Sequence, residues 1–321
     1  MKRKYLELLI LFAAALIFPA VVGRTVIRKA AFDPAPLKAL QAKPPAYVFI
    51  GDSMARSRID VDQFERLTGA PVGDLIDNGS ASARWYLFFK NYLIASGARP
   101  KMTFIFFRDT VLNEPEQRTD GKYREELEEA MHEKEPVLEK VLSTGALGSA
   151  EEAHDALVAL YPVQQRQTAV RESIEERLLQ MASITLTRDG LRGRLKDTFG
   201  LDRLRDDVPS DLATEEKDDV KKFDGSPDAS FLPHLLALAK EHQLKLCFVR
   251  VKRSEIRHEK WLDRYILDLR EYLAANGALF YDETEDPEIT PEMFGDGDHI
   301  DRKFRPFTTE RFHSQIKGLL Q

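Results

Sequence analysis

The sequence predicts an α/β protein in which helices cover both faces of a parallel sheet. Short apolar runs alternate along the chain with stretches that have helical spacing. Strands buried on both faces show as nearly continuous apolar runs, so this alternation favours a parallel sheet. A chain of 321 residues, 43% hydrophobic and 31% charged, can bury a sizeable core. At roughly 150 residues per domain it corresponds to about two domains, or to one domain with a large insertion.

The strands and helices follow one another in a regular order. The first buried strand is predicted at the apolar run AYVFI, and Gly69 is suited to end the first helix. Aromatic residues at helical spacing in the second helix are expected in the core. The predicted strands are 46–50, 72–76, 101–107, 244–251 and 278–281, and the predicted helices are 62–68, 82–95, 231–242, 261–275 and 306–320.

The first thirty residues differ in character from the rest. Three basic residues at positions 2–4 precede a run without charges at 8–22, which only Pro19 interrupts. A helix of that length spans about 23 Å, less than a hydrocarbon core of ~30 Å. We predict a signal anchor or transmembrane helix at 1–30; a cleaved signal peptide and a buried core helix are the alternatives. The short basic N-terminus is easily retained in the cytosol, which favours export of the remainder.

Charge and composition exclude several classes of protein. The net charge of −6 argues against a general nucleic-acid binder, which needs a basic surface. Cys247 is the only cysteine, so an intrachain disulfide and a zinc site of several thiolates are both excluded. The histidines show no metal-ligand spacing, and no phosphate-binding or dinucleotide-binding glycine pattern occurs. We therefore predict neither a metal nor a cofactor.

An acidic segment divides the predicted α/β domain. Residues 111–230 hold 28 acidic and 17 basic residues, a net charge of −11, whereas the rest of the chain carries +5. Their spacing is helical, and the simplest interpretation of the charges is a solvated helical face. The alternative is a helical insertion that gates a site or docks a partner. The domain would then comprise 31–110 and 231–321, with 111–230 inserted between them.

The first candidate site residue follows the first predicted strand. Gly51-Asp52-Ser53 comes directly after that strand, which places Ser53 at the carboxyl edge of the sheet. Open α/β proteins bind their ligands at this edge, and the glycine permits a sharp exit from the strand. This position makes Ser53 a candidate nucleophile.

The second candidate motif lies just before the last predicted helix. A serine hydroxyl needs a base to take its proton, and the imidazole of His299 is suited to that task. Asp296, three residues earlier, is placed to fix the histidine tautomer, with Asp298 as the rival. Taken without Ser53, the motif also fits a polar turn or a helix cap.

Together these motifs resemble the SGNH hydrolase superfamily. The match comprises Gly51-Asp52-Ser53 as the nucleophile block and Asp296-x-x-His299 as the acid and base block. The stretches IGDSMARSRID, SFLPHLLALAKEHQLKLCFVRV and FGDGDHIDRKFRPFTTERF are most similar to its membrane-anchored branch, which includes alginate O-acetylation proteins and the D-alanyl transfer protein of teichoic acids. The resemblance implies a three-layer flavodoxin-like sandwich, to which the residue pattern adds the N-terminal membrane helix and the helical insertion described above.

The resemblance also implies an oxyanion hole with three donors. Two of them would be the backbone N–H groups of Ser53 and Gly79, the latter in the block Asn78-Gly79-Ser80. The third block departs from the family, because Arg108 stands where the family has an asparagine. Loss of one donor costs about 10²- to 10³-fold in rate unless another group replaces it.

The guanidinium of Arg108 could fill that role or bind an acidic group of the substrate. Alternatively, Arg108 pairs with Asp109 or another carboxylate, and Asn113 is a looser candidate for the third donor. Substrate-binding roles are also predicted for Arg56, Arg58 and Asn78, with surface roles as the alternative for the two arginines.

The function expected from these motifs is that of an envelope-facing serine acyltransferase or esterase. The resemblance implies acyl groups, acetyl in the first place, on a cell-surface polysaccharide. It also implies a membrane-bound O-acyltransferase as partner and a single-pass location in the inner membrane with the catalytic domain in the periplasm. A scaffold or polysaccharide-binding subunit without catalysis, and a secreted deacetylase, are the alternatives.

Overall fold

The computed structural model describes residues 30–119, 122–132, 135–145, 221–254, 259–295 and 297–319, which lie in one compact unit. The predicted N-terminal anchor, most of the 111–230 insertion and Asp296 lie outside these ranges. None of the helices within them combines the length and the apolar character that crossing a membrane requires.

A five-stranded parallel sheet forms the centre of the protein. Its spatial order is β2-β1-β3-β4-β5, and every neighbouring pair is parallel. This is the strand order of flavodoxin-like folds, so the predicted α/β class with a parallel sheet is confirmed. The strands are β1 (Tyr47–Gly51), β2 (Val72–Ile76), β3 (Met102–Phe107), β4 (Leu246–Arg250) and β5 (Leu279–Asp282).

Nine α-helices are seen in the described residues. Asp60 caps the third by accepting from the Gln63 N–H at 2.9 Å, and Gly69 ends it with φ 63°. The predicted helix at 82–95 begins as an α-helix and continues as a π-helix at Phe88–Ile94. The helices are α1 (Ala35–Ala42), α2 (Ser53–Arg58), α3 (Val61–Thr68), α4 (Ser82–Leu87), α5 (Lys122–Glu129), α6 (Pro136–Gly145), α7 (Leu232–Glu241), α8 (Lys260–Ala275) and α9 (Arg305–Ile316).

The two faces of the sheet carry separate apolar cores. Alternate residues of each strand point to opposite faces, so Ile50 joins one core and Phe49 the other. The Ile50 side packs against α4, α7 and α8, and the Phe49 side packs against α3 and α9. The aromatic residues predicted for the core of the 82–95 helix are all buried: Trp85, Tyr86, Phe88, Phe89 and Tyr92.

The first part of the acidic segment is less solvated than its charge predicts. Apolar residues of α5 and α6, among them Leu127 and Leu138, join the core on the Ile50 side. Glu128 and Glu135 are buried, so the prediction of a solvated face is wrong for these two. Burial of Glu135 is tolerated because the Asn91 amide donates to its Oε1 at 2.9 Å and Lys90 pairs with its Oε2.

Candidate active site

Ser53 is the first residue of α2, just after the carboxyl end of strand β1. Asp52 caps this helix by accepting from the Met54 N–H at 2.9 Å. A side chain at Gly51 would bring a Cβ within 2.9 Å of the Ala55 Cβ and 3.0 Å of the Phe106 Cβ, so the strand-to-helix turn needs glycine. The connection after β1 runs to β2 on one side, and the connection after β3 runs to β4 on the other. Ser53 therefore lies at the topological switch point of the sheet, between β1 and β3.

The structure brings His299 to Ser53 across 246 residues of sequence. The His299 Nε2 lies 2.8 Å from the Ser53 Oγ, and both residues are half-buried. This distance allows the imidazole to accept the hydroxyl proton when its other nitrogen carries the ring proton. The pair is therefore a candidate nucleophile and base in hydrogen-bond contact.

The C-terminal half of α2 holds the backbone on both sides of His299. The Ile300 N–H donates to the Ser57 Oγ at 3.2 Å. The Arg58 guanidinium donates to the Asp298 carbonyl, with both Nη atoms at 3.4 Å. One short helix therefore carries the serine at its start and fixes the histidine loop from its end.

The histidine loop is also closed by its own backbone. Phe294 and Ile300 form an antiparallel bridge, and the Gly295 N–H donates to the His299 carbonyl at 2.9 Å. Asp296, predicted to orient His299, lies outside the described residues, so this role stays a prediction.

The Asp298 carboxylate binds Arg253 and Ser254, whereas the alternative role predicted for it was to orient His299 in place of Asp296. Its Oδ2 accepts from the Arg253 Nε at 2.9 Å, and its Oδ1 accepts from the N–H and the hydroxyl of Ser254 at 3.0 Å each. Burial alone would raise the pKa of Asp298, but the Arg253 charge and the Ser254 hydrogen bonds outweigh it and lower that pKa. The carboxylate thus anchors the histidine loop to the chain after β4.

The loop that carries Gly79 is attached to the end of β1. The Asp77 N–H and the Ser80 hydroxyl both donate to the Gly51 carbonyl, at 2.9 and 3.0 Å. Gly79 has φ 81°, a conformation that favours glycine, and Asn78 lies in the same turn. Residues 77–80 are therefore held beside the backbone that leads into Ser53.

Arg108 follows β3, the strand next to β1. Its Nη1 lies 3.9 Å from the Asp298 Oδ2, and its Nε is buried without a hydrogen-bond partner among the residues that the structure describes. Asp109 pairs instead with Arg250 and Arg253, at 3.0 Å each. Of the three roles predicted for Arg108, the structure shows the ion pair with a carboxylate; the partner is Asp298, at the long limit of such contacts.

The prediction of Asn113 as a candidate oxyanion donor is wrong. Its side-chain oxygen accepts from the Tyr265 hydroxyl at 2.9 Å, and its amide donates to the Asp224 carbonyl at 2.5 Å. The side chain therefore binds the returning chain to α8 rather than a substrate.

The two arginines predicted to bind substrate have structural partners. Arg58 is fully buried and pairs with Glu283 at 2.8 Å, so its predicted contact with a polymer is wrong. Arg56 pairs with Asp74 of β2 at 2.5 Å and donates to the Ile76 carbonyl. These contacts direct its guanidinium towards the edge strand of the sheet.

The sequence analysis missed two cations at the carboxyl edge of the sheet, near Ser53. Arg253 binds both Asp298 and Asp109, and its place just after β4 was a usable signal, since ligands gather at the carboxyl ends of parallel strands. Arg118 donates to the Ser80 carbonyl at 3.2 Å, and no sequence pattern marks it. Among the residues that the structure describes, no group of three His, Cys, Asp or Glu side chains is arranged to hold a metal ion.

The fold and the serine–histidine pair define an α/β protein with a candidate hydrolytic site at the switch point of its sheet. No family model and no curated protein matches the sequence. The chain is similar to solved structures at low identity. One is a protein assigned as an acylhydrolase from Bacteroides fragilis, with 12% identity over 90% of this chain and 99% of that one and a TM-score of 0.41.

Two further solved structures are similar at the same low level. A GDSL-like lipase from Bacteroides thetaiotaomicron has 12% identity over 85% of this chain and 86% of that one, with a TM-score of 0.36. A gut microbial diltiazem-metabolizing enzyme has 11% identity over 86% of this chain and 47% of that one, with a TM-score of 0.33. Similarity of this degree does not extend to function.

Proposed function

We propose that the protein is a serine esterase or O-acyltransferase that acts on acyl groups of a cell-surface polysaccharide. The observation that carries this proposal is the contact of 2.8 Å between the Ser53 Oγ and the His299 Nε2 at the switch point of the sheet. A hydroxyl held against an imidazole in a half-open site is the arrangement that nucleophilic acyl transfer needs.

The proposed reaction proceeds through an acyl-enzyme. The Ser53 Oγ attacks the carbonyl carbon of the acyl donor, and its proton passes to the His299 Nε2. The N–H groups of Ser53 and Gly79 hold the oxyanion of the tetrahedral intermediate. When the carbon–oxygen bond to the leaving alcohol breaks, that alcohol takes the proton from His299.

The second half of the reaction releases the acyl group. Water or a sugar hydroxyl gives its proton to the His299 Nε2 and attacks the carbonyl carbon of the acyl-Ser53. The Ser53 Oγ leaves and recovers its proton from the histidine. Water makes the protein an esterase, and a sugar hydroxyl makes it a transferase. In this scheme Asp296 orients His299 and Arg108 supports the oxyanion or binds an acidic group of the substrate.

The polysaccharide, the acetyl group and the envelope location are supported by the resemblance of the sequence motifs. The basic and apolar N-terminus at 1–30 supports a single-pass anchor that leaves the α/β domain in the periplasm. A membrane-bound O-acyltransferase would then supply the acyl group from the cytosolic side.

The test is turnover of an acetyl ester with and without a carbohydrate acceptor. Ser53→Ala and His299→Gln should each abolish release of the alcohol. Ser143→Ala, which alters an exposed serine on α6, should behave like the wild type. Product analysis separates hydrolysis from transfer. Mass spectrometry of the wild type after reaction with the ester should detect an acyl group on Ser53. Turnover that persists in Ser53→Ala would refute the catalytic proposal.

One observation favours a second candidate, a polysaccharide-binding or scaffold subunit without catalysis. Arg108 stands in place of the expected asparagine and is drawn towards Asp298 rather than left free. A subunit of that kind would show no turnover of the ester and would keep its polymer affinity in His299→Gln.

A further inference from the structure

Arg118 connects the two backbone segments that carry the proposed oxyanion donors. Its Nη1 lies 3.2 Å from the Ser80 carbonyl and 3.7 Å from the Asp52 Oδ2. Ser80 follows Gly79, and Asp52 precedes Ser53. A single guanidinium therefore touches the neighbour of each donor.

The Asp52 contact extends to the start of α2. While the Oδ2 faces Arg118, the Oδ1 accepts from the Met54 N–H at 2.9 Å and so fixes the first turn of the helix. Asp52 is buried, and the Arg118 side chain is only 27% exposed. An ion pair shielded from water in this way is screened less by salt than a surface pair.

The region around Arg118 also covers the Gly79 turn. A Cβ on Gly79 would lie 3.3 Å from the Cε1 of Tyr123, the second residue of α5. The Arg118 guanidinium lies over the same tyrosine ring, 5.9 Å from its centroid. Arg118 itself has φ 58°, an uncommon conformation for a residue with a side chain. The uncommon backbone conformation thus occurs at the residue whose guanidinium contacts both segments.

We propose that Arg118 is a positioning residue that sets the spacing between the Ser53 N–H and the Gly79 N–H. It acts through Asp52 and Ser80 and touches neither the nucleophile nor the base. This inference rests on the proposed function, and it gives the start of the 111–230 segment a role in the site. Two donors must both point at the position of the oxyanion, and a misplacement of about 1 Å can cost roughly a hundredfold in rate.

The test compares Arg118→Gln and Arg118→Lys with Arg264→Gln in the full chain. Arg264 is an exposed arginine of α8 that pairs with Asp268, so it controls for loss of a surface charge. The first measurement is the steady-state hydrolysis of p-nitrophenyl acetate. The second is hydrogen exchange of peptides covering 50–56 and 76–82, which reports the backbone segments without requiring activity.

Arg118→Gln should lower kcat about tenfold to a hundredfold with little change in KM, because the ground state does not use the oxyanion donors. Both peptides should exchange faster, and the Arg264→Gln variant should match the wild type. Arg118→Lys keeps the charge but lacks the planar guanidinium that places Nη1 between the two acceptors, so it should recover little of the activity.

Unchanged exchange in both peptides of Arg118→Gln would overturn the positioning role, whatever the activity. Full recovery in Arg118→Lys would overturn it as well, since charge alone would then suffice. If the wild type shows no turnover that depends on Ser53, the proposed function fails, and the exchange measurement still decides whether Arg118 holds the two segments.

Discussion

The Arg58 Nε lies 2.8 Å from the Glu283 Oε2, and neither side chain is more than 5% exposed. Arg58 is at the end of α2, and Glu283 directly follows β5. The same guanidinium donates to the carbonyl groups of Lys252, after β4, and of Asp298, beside His299. One buried cation at the end of α2 thus joins the segments after β4 and β5 to the histidine loop.

We expect Arg58→Met to destabilise the protein by about 3–5 kcal/mol. The substitution leaves Glu283 buried without its counter-charge, which costs more than the loss of a surface pair. Urea denaturation followed by tryptophan fluorescence measures the change. Arg56→Met on the same helix is the matched control, because its pair with Asp74 is partly exposed and should cost no more than about 1 kcal/mol. Equal losses in both variants would contradict the structural role of Arg58.

Gly79→Ala should lower both stability and ester turnover. Its φ of 81° and the approach of Tyr123 at 3.3 Å leave little room for a Cβ, and an L-residue in this conformation costs roughly 1–2 kcal/mol. Gly97→Ala is the matched control, since Gly97 has φ 75° and no atom of the described residues would lie within 4 Å of its Cβ. Gly97→Ala should lose stability and keep its kcat. A kcat of Gly79→Ala equal to that of Gly97→Ala would contradict the expectation that a Cβ displaces this turn and its N–H from the oxyanion.

Arg108→Met distinguishes the two roles proposed for Arg108. A donor to the oxyanion would show a fall in kcat of about 10²- to 10³-fold at nearly constant KM. A residue that binds an acidic group of the substrate would instead raise KM for anionic esters and leave neutral esters unaffected. Arg302→Met alters an exposed arginine three residues after His299 and should change neither kcat nor KM.

The stabilising effect of Asp298 should disappear in acid. Its folded pKa is lowered, so the carboxylate stabilises the protein above the ordinary aspartate pKa of ~3.9, and this contribution is lost as the pH falls through the folded value. We expect Asp298→Asn to be less stable than the wild type from pH 5 to 7, and the two urea midpoints to converge below about pH 4. Asp228→Asn, in an exposed pair with Lys140, should show no such convergence. A constant difference down to pH 3 would contradict this assignment.

Much of the fold could be read from the sequence because the strands are buried on both faces. Burial makes each strand an apolar run, and all five predicted runs correspond to strands within one or two residues of their ends. Helix α2 was not predicted, since its six residues carry no apolar periodicity and depend on the Asp52 cap and on tertiary contacts.

Side-chain roles were harder to read than backbone elements. A charged residue such as Arg58 is expected at the surface, and only the convergence of α2, β4 and β5 buries it. Glu135 likewise belongs to an acidic run, but Asn91 and Lys90 reach it from a helix some forty residues earlier. Whether a charge is solvated depends on such distant partners, which a local pattern does not contain.

The sequence by itself determined the parallel α/β architecture and the position of Ser53 at the end of its first strand, because apolar runs and a glycine turn are local features. The tertiary structure decided which groups Ser53 meets. Ser57 and Arg58 hold the backbone on either side of His299, and Arg253 with Ser254 holds Asp298. These contacts join residues far apart in the chain, so they exist only once the sheet edge has assembled and the charges there have found partners shielded from water.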